Sequence, residues 1–134
     1  MNQLRNKDIP LLARACLEEY GATSFPVNLL HIADGMGVRV IKDSDVHALL
    51  PGEYGKTYHE PISGKSYIIY DDSMSLEERR FTVAHEIGHV YMKHWEEHAR
   101  FRAYIEELER KHGLRVEKQA DLFALHLLKG GDKQ

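Results

Sequence analysis

Residues 75–91, SLEERRFTVAHEIGHVY, constrain this chain more than any other stretch. Ser75-Leu76-Glu77-Glu78 reads as a capping box, with serine at the N-cap and glutamate three residues on. The helix it opens is expected to run to about Lys93 or Trp95. Inside it lies His85-Glu86-Ile87-Gly88-His89, the pattern H-E-x-x-H in the helical setting that the pattern requires. Residues four apart differ by about 40° around a helix, so His85 and His89 project from one face, one above the other. Two imidazoles so placed can take adjacent corners of a zinc tetrahedron. Glu86 falls about 100° away, where it reaches a water at the metal better than the metal itself. The segment around the three is largely apolar, and burying them without partners costs free energy that a metal removes.

A catalytic zinc takes three protein ligands and keeps one position open. A third histidine in the pattern H-E-x-x-H-x-x-G-x-x-H fails here. Met92 stands where that pattern has glycine, Trp95 where it has histidine, and His94 is one residue out of register. Glu117-Lys118-Gln119-Ala120-Asp121 offers another route, with Glu117 and Asp121 four apart on one helical face. Glu117 then ligates the metal. Asp121 accepts the ring N–H of a ligand histidine, His85 before His89, fixing its tautomer.

The rest of the chain reads as an α+β domain. A helix is expected over Ile9–Tyr20, ended by Gly21, and a short second one from near Pro26, stopped by Gly35 and Gly37. Val38–Ile41 and Ser66–Tyr70 read as strands. Turn signals between them suggest a small twisted sheet of about three or four strands. After the active-site helix, a polar helix with an apolar stripe at Phe101, Tyr104, Ile105 and Leu108 is expected to break at Gly113. A last helix spans about Val116–Leu128, before a frayed tail over 130–134. No repeat or linker is visible, so residues 1–134 are expected to form one zincin-like domain.

Composition excludes several classes. With 134 residues and one cysteine, Cys16, neither an intramolecular disulfide framework nor a four-cysteine zinc site is possible. Cys16, among leucines, reads as a buried structural residue. The net charge of -3 argues against nucleic acid as a direct ligand. The first ten residues show no apolar segment of a signal peptide, and no apolar run is long enough to span a bilayer. The expectation is a cytoplasmic protein with no membrane partner.

Residues 80–89, RFTVAHEIGH, followed by 117–124, EKQADLFA, resemble the ImmA/IrrE family of metallopeptidases. The layout upstream is similar too, with a short helix before a Gly-Val-x-Val strand and an Ile-Ile-Tyr strand before the capped helix. The resemblance covers roughly residues 26–128. It implies an α+β fold with a small sheet packed on the active-site helix, zinc as cofactor, and Glu117 as third ligand beside His85 and His89. It also implies an intracellular protease, in a phage, a mobile element or a stress response, that cleaves a helix-turn-helix repressor. Relatives often continue past the last helix with a Leu-Leu-Met-Pro-like segment, whereas here Leu127-Leu128 runs into Lys129-Gly130-Gly131.

The expected chemistry is peptide-bond hydrolysis. Glu86 takes a proton from the attacking water and later delivers it to the leaving amine. A second donor for the oxyanion is to be sought among Tyr54, Tyr58, His59, Tyr91, His94, His98 and His112. The substrate is expected to lie along a sheet edge, with Ser66–Tyr70 as either that edge or a buried central strand. A second reading, favoured by the short C-terminus, is a metal-binding interaction protein with little protease activity. The acid between the two histidines favours the enzyme, because a purely structural site has no use for a base.

Overall fold

Strand Ser66–Tyr70 has neighbours on both sides. In the computed structural model, which describes residues 5–60, 62–92 and 106–130 (backbone alone at 106–114 and 116), three strands are found. They are β1 (Val38–Lys42), β2 (Gly55–His59) and β3 (Ser66–Tyr70), in the order β1-β3-β2. β1 runs parallel to β3, with Val40 opposite Ile68, and β2 runs antiparallel to it, with Thr57 opposite Ile68. Ile68 and Ile69 are buried. Of the two placements open for Ser66–Tyr70, the central one holds. The edges are β1 and β2, and β2 lies beside the metal-motif helix.

Five helices complete the described fold: α1 (Ile9–Glu19), α2 (Leu29–Gly35), α3 (Asp43–Val46), α4 (Leu76–Tyr91) and α5 (Glu106–Leu128). The protein is thus α+β. α4 starts at the expected capping box. The Ser75 hydroxyl accepts from the Glu78 N–H, and the Glu78 carboxylate accepts from the Ser75 N–H, each at 3.2 Å. α2 starts three residues after Pro26, because Asn28 supplies the cap and accepts the His31 N–H at 3.0 Å. α5 runs unbroken through Gly113. A glycine inside a helix costs only about 1 kcal/mol relative to alanine, which one long packed helix can absorb. The apolar positions 101, 104 and 105, together with Trp95, lie outside the described residues, as does the Leu108 side chain. Among the described residues no helix is long and apolar enough to cross a membrane.

The core explains how α4 is seated. On α5, Ala120, Phe123, Ala124 and Leu127 recur at helical spacing and are all fully buried. To the same core α4 adds Val83, Ala84, Ile87 and Gly88, and α1 adds Ile9, Ala13, Cys16 and Leu17. Burial pushes the Cys16 thiol, with Glu19 nearby, up to about 12, so it is an inert core residue. Gly88 meets the Phe123 ring so closely that a Cβ there would stand 3.0 Å from Cδ1. At the end of α4, the Tyr91 hydroxyl donates to Glu19 at 3.0 Å, tying the helix to α1.

The Gly88–Phe123 contact sets the spacing of the two helices, so enlarging position 88 should loosen it. Gly88→Val is expected to destabilise the chain by about 1–3 kcal/mol, the usual cost of overpacking, read as a lower denaturant midpoint in urea unfolding.

Candidate metal centre

α4 and α5 bring four of the predicted residues into one cluster. His85 and His89 lie one turn apart on α4, their ring centroids 4.7 Å apart and nearly perpendicular, with Nε2 atoms separated by 3.1 Å. Across from them Glu117 places Oε1 at 2.8 Å from His85 Nε2 and 3.3 Å from His89 Nε2. One turn on, Asp121 Oδ1 sits 2.7 Å from His85 Nδ1. With that N–H donated to Asp121, the neutral His85 ring turns the lone pair of Nε2 toward Glu117 and His89.

The fit to a metal can be tested on these distances. Ligand atoms about 2.0–2.2 Å from a tetrahedral zinc stand about 3.3–3.5 Å from one another. Of the three observed separations, 3.3 Å meets that range, while 3.1 and 2.8 Å are shorter than it. Two imidazoles and one carboxylate also match the donor preference of zinc. His85, His89 and Glu117 could therefore hold such an ion with small outward shifts. Glu86 also falls within the cluster, its Oε2 4.0 Å from His85 Nε2. Glu117 is the closer carboxylate.

Glu86 points toward the sheet. It is 6% exposed, and its Oε1 accepts a hydrogen bond from Thr57 Oγ1 at 2.7 Å. Thr57 sits in the middle of β2, and the approach of β2 to α4 depends on Gly55. A Cβ at Gly55 would collide with the Thr82 methyl and meet Glu86 Cγ at 3.7 Å. Thr57 is the site residue that sequence reasoning missed. It lies 29 residues before Glu86, in a strand without apolar alternation, and only the topology joins them.

The predicted oxyanion donors are mostly engaged elsewhere. Tyr91 bonds Glu19, Tyr58 stacks on Tyr67, and His59 Nδ1 pairs with Ser66 Oγ at 3.0 Å. Tyr54 is exposed. His94, His98 and the His112 side chain lie outside the described residues.

Charge in the cluster is asymmetric. Burial pushes His85 toward its neutral form. The hydrogen bond to Glu117 and the charges of Glu86, Glu117 and Asp121 outweigh that and raise it above its ordinary value. Hydrogen bonds from His85 and His89 hold the Glu117 carboxyl far below its usual range. A raised histidine stabilises the fold below its ordinary 6.5, and the gain is lost as pH rises through its folded value. A depressed carboxylate stabilises above its ordinary 4.5, and the gain is lost as pH falls from there. In metal-free protein the melting-temperature gap between wild type and Glu117→Gln should thus be widest between those two values. Excess zinc should reverse its upper limb, because the metal needs neutral imidazoles. Thermal melts across pH, with and without zinc, check both.

A family model described as the IrrE N-terminal-like domain, of a peptidase family, matches residues 33–128. The match runs from α2 to the end of α5 and takes in every residue of the cluster. No curated protein matches the chain.

Proposed function

The chain belongs to the family of IrrE N-terminal-like domains, and on that premise we propose that it is a cytoplasmic zinc endopeptidase of narrow specificity, acting on a helix-turn-helix repressor or a similar regulator. A metallopeptidase-like function follows from the family. The convergence of His85 Nε2, His89 Nε2 and Glu117 Oε1 carries the rest of the reading. The repressor as substrate is supported by the resemblance of residues 80–89 and 117–124 to the ImmA/IrrE family.

His85, His89 and Glu117 would hold the zinc, and Asp121 fixes the His85 ring. When bound, zinc acts as a Lewis acid that polarises the scissile carbonyl and makes water more acidic. Glu86 is the general base and acid. It takes the proton of the attacking water on Oε2, the oxygen nearer His85, and returns it to the leaving amine. Thr57 holds the other oxygen, so the carboxylate meets the water in one orientation. The substrate adds as an extended strand to the free edge of β2, which carries Thr57 and lies beside α4. The buried acid held by Thr57 favours the enzyme over a metal-binding interaction protein, which needs no such base.

Metal analysis of purified protein is expected to give about one zinc per wild-type chain, with clear loss in Glu117→Ala. Glu86→Gln should keep the zinc yet fail to cleave a helix-turn-helix repressor encoded nearby, followed by mass spectrometry of the products. Full cleavage by Glu86→Gln would remove Glu86 from its role. No zinc in wild type, even after zinc is added, would remove the enzyme reading altogether.

Thr57→Val should also keep zinc. It is expected to lower kcat by about tenfold or more with little change in KM, the pattern of a lost orientation in the transition state. Thr57→Ser should recover most of the loss.

A further inference from the structure

Helix α4 has a second use on its other side. Leu76, Arg79, Arg80 and Val83 line a cavity of about 430 Å3, closed by residues 26–30, Val40 of β1 and Tyr70 of β3. That volume suits a small ligand. None of His85, Glu86, His89, Glu117 and Asp121 lines it, so the cavity is separate from the metal cluster.

Its lining has a definite chemistry. The walls are aliphatic, from Val27, Leu29, Val40 and Val83, and the lining holds two cations and no carboxylate. Arg80 spends Nη2 on the Val27 carbonyl at 2.8 Å. Arg79 is different, for its Nε is shut off from water and has no hydrogen-bond partner. A buried donor without an acceptor carries an uncompensated desolvation cost. A ligand in the cavity cannot reach that atom; it can meet the Nη edge of the same guanidinium, and the group that best matches such an edge is a carboxylate, which accepts two parallel N–H bonds. Asn28 spends its side-chain oxygen on the His31 N–H, which leaves its amide as a further donor at the same wall. At the mouth, Leu30 and Leu76 turn apolar surface to water, at 63% and 64% exposure. Such surface is covered when a hydrocarbon body enters.

We propose that this cavity binds a small aliphatic carboxylate, its carboxyl on the Arg79 guanidinium and its chain against Val27, Val40 and Val83. The site does not depend on the proposed peptidase activity.

The test is a titration of the methyl-labelled chain with octanoate, followed by NMR, beside octanamide as the uncharged control. Octanoate should bind saturably and shift the methyls of Val27, Leu29, Val40 and Val83. Octanamide should bind about tenfold more weakly or worse. Arg79→Gln should weaken octanoate by a similar factor and leave octanamide unchanged. Should that variant not fold, the acid-to-amide comparison on wild type decides alone. Absence of saturable shifts, shifts confined to other methyls, or equal binding of acid and amide would overturn the proposal. A short peptide ending in leucine that binds about tenfold tighter than octanoate would overturn it as well, by giving the cavity to a polypeptide terminus.

Discussion

The contact of Gly88 on Phe123 is the constraint from which the ligand set follows. It lets α4 and α5 approach until the residues flanking it can touch. Three of the bonds across the interface span 2.7, 2.8 and 3.3 Å. A further ångström between the helices would put them beyond hydrogen-bonding distance. The polar cluster cannot be what draws the helices together. Glu117 and Asp121 have side chains 58% and 54% exposed, so their attraction to the histidines is screened by water. The apolar stripe on α5 brings the helices together, and its burial dominates the free energy. The acids are carried into place by that packing.

The same helix is fixed from its sheet side by a second close approach, Gly55 on Thr82. These two glycines divide the work. Gly88 places Glu117 and Asp121 against the histidines, and Gly55 places Thr57 against Glu86. Neither contact depends on the other, so the ligand set and the candidate base are positioned by separate parts of the fold.

How much of this was legible follows from what each feature depends on. The capping box, the histidine pair and the Glu117–Asp121 pair are local patterns five residues long or less, and one helical period places each of them. That Gly88 packs against a neighbouring element also follows from its position on the buried side of α4. Strand β2 was not legible. Gly55-Lys56-Thr57-Tyr58-His59 has no alternation of apolar residues, and among them only Tyr58 is exposed, the other four being half-buried. Whether Ser66–Tyr70 is an edge or a centre could not be read from a short apolar run, which looks the same in either place. The break expected at Gly113 assumed that one glycine ends a helix, whereas its cost of about 1 kcal/mol does not stop α5. The cavity beside Arg79 draws its walls from four segments of the chain, and no sequence pattern reports such an assembly.

Three carboxylates of similar intrinsic chemistry meet at this cluster, and burial is what separates them. Glu117 is more than half exposed and is held ionised by two imidazoles, the condition of a ligand. Asp121 is equally exposed and touches only the far nitrogen of His85, the condition of an orienting group. Glu86 has a side chain only 8% exposed and spends one oxygen on Thr57. Its other oxygen stands 4.0 Å from His85 Nε2, too far for a direct hydrogen bond. A water hydrogen-bonded to both atoms would sit beside the line that joins them, bridging the acid and the histidine. In a hydrolase this is where a water must sit to give up its proton, and of the three acids Glu86 alone combines that gap with shelter from solvent.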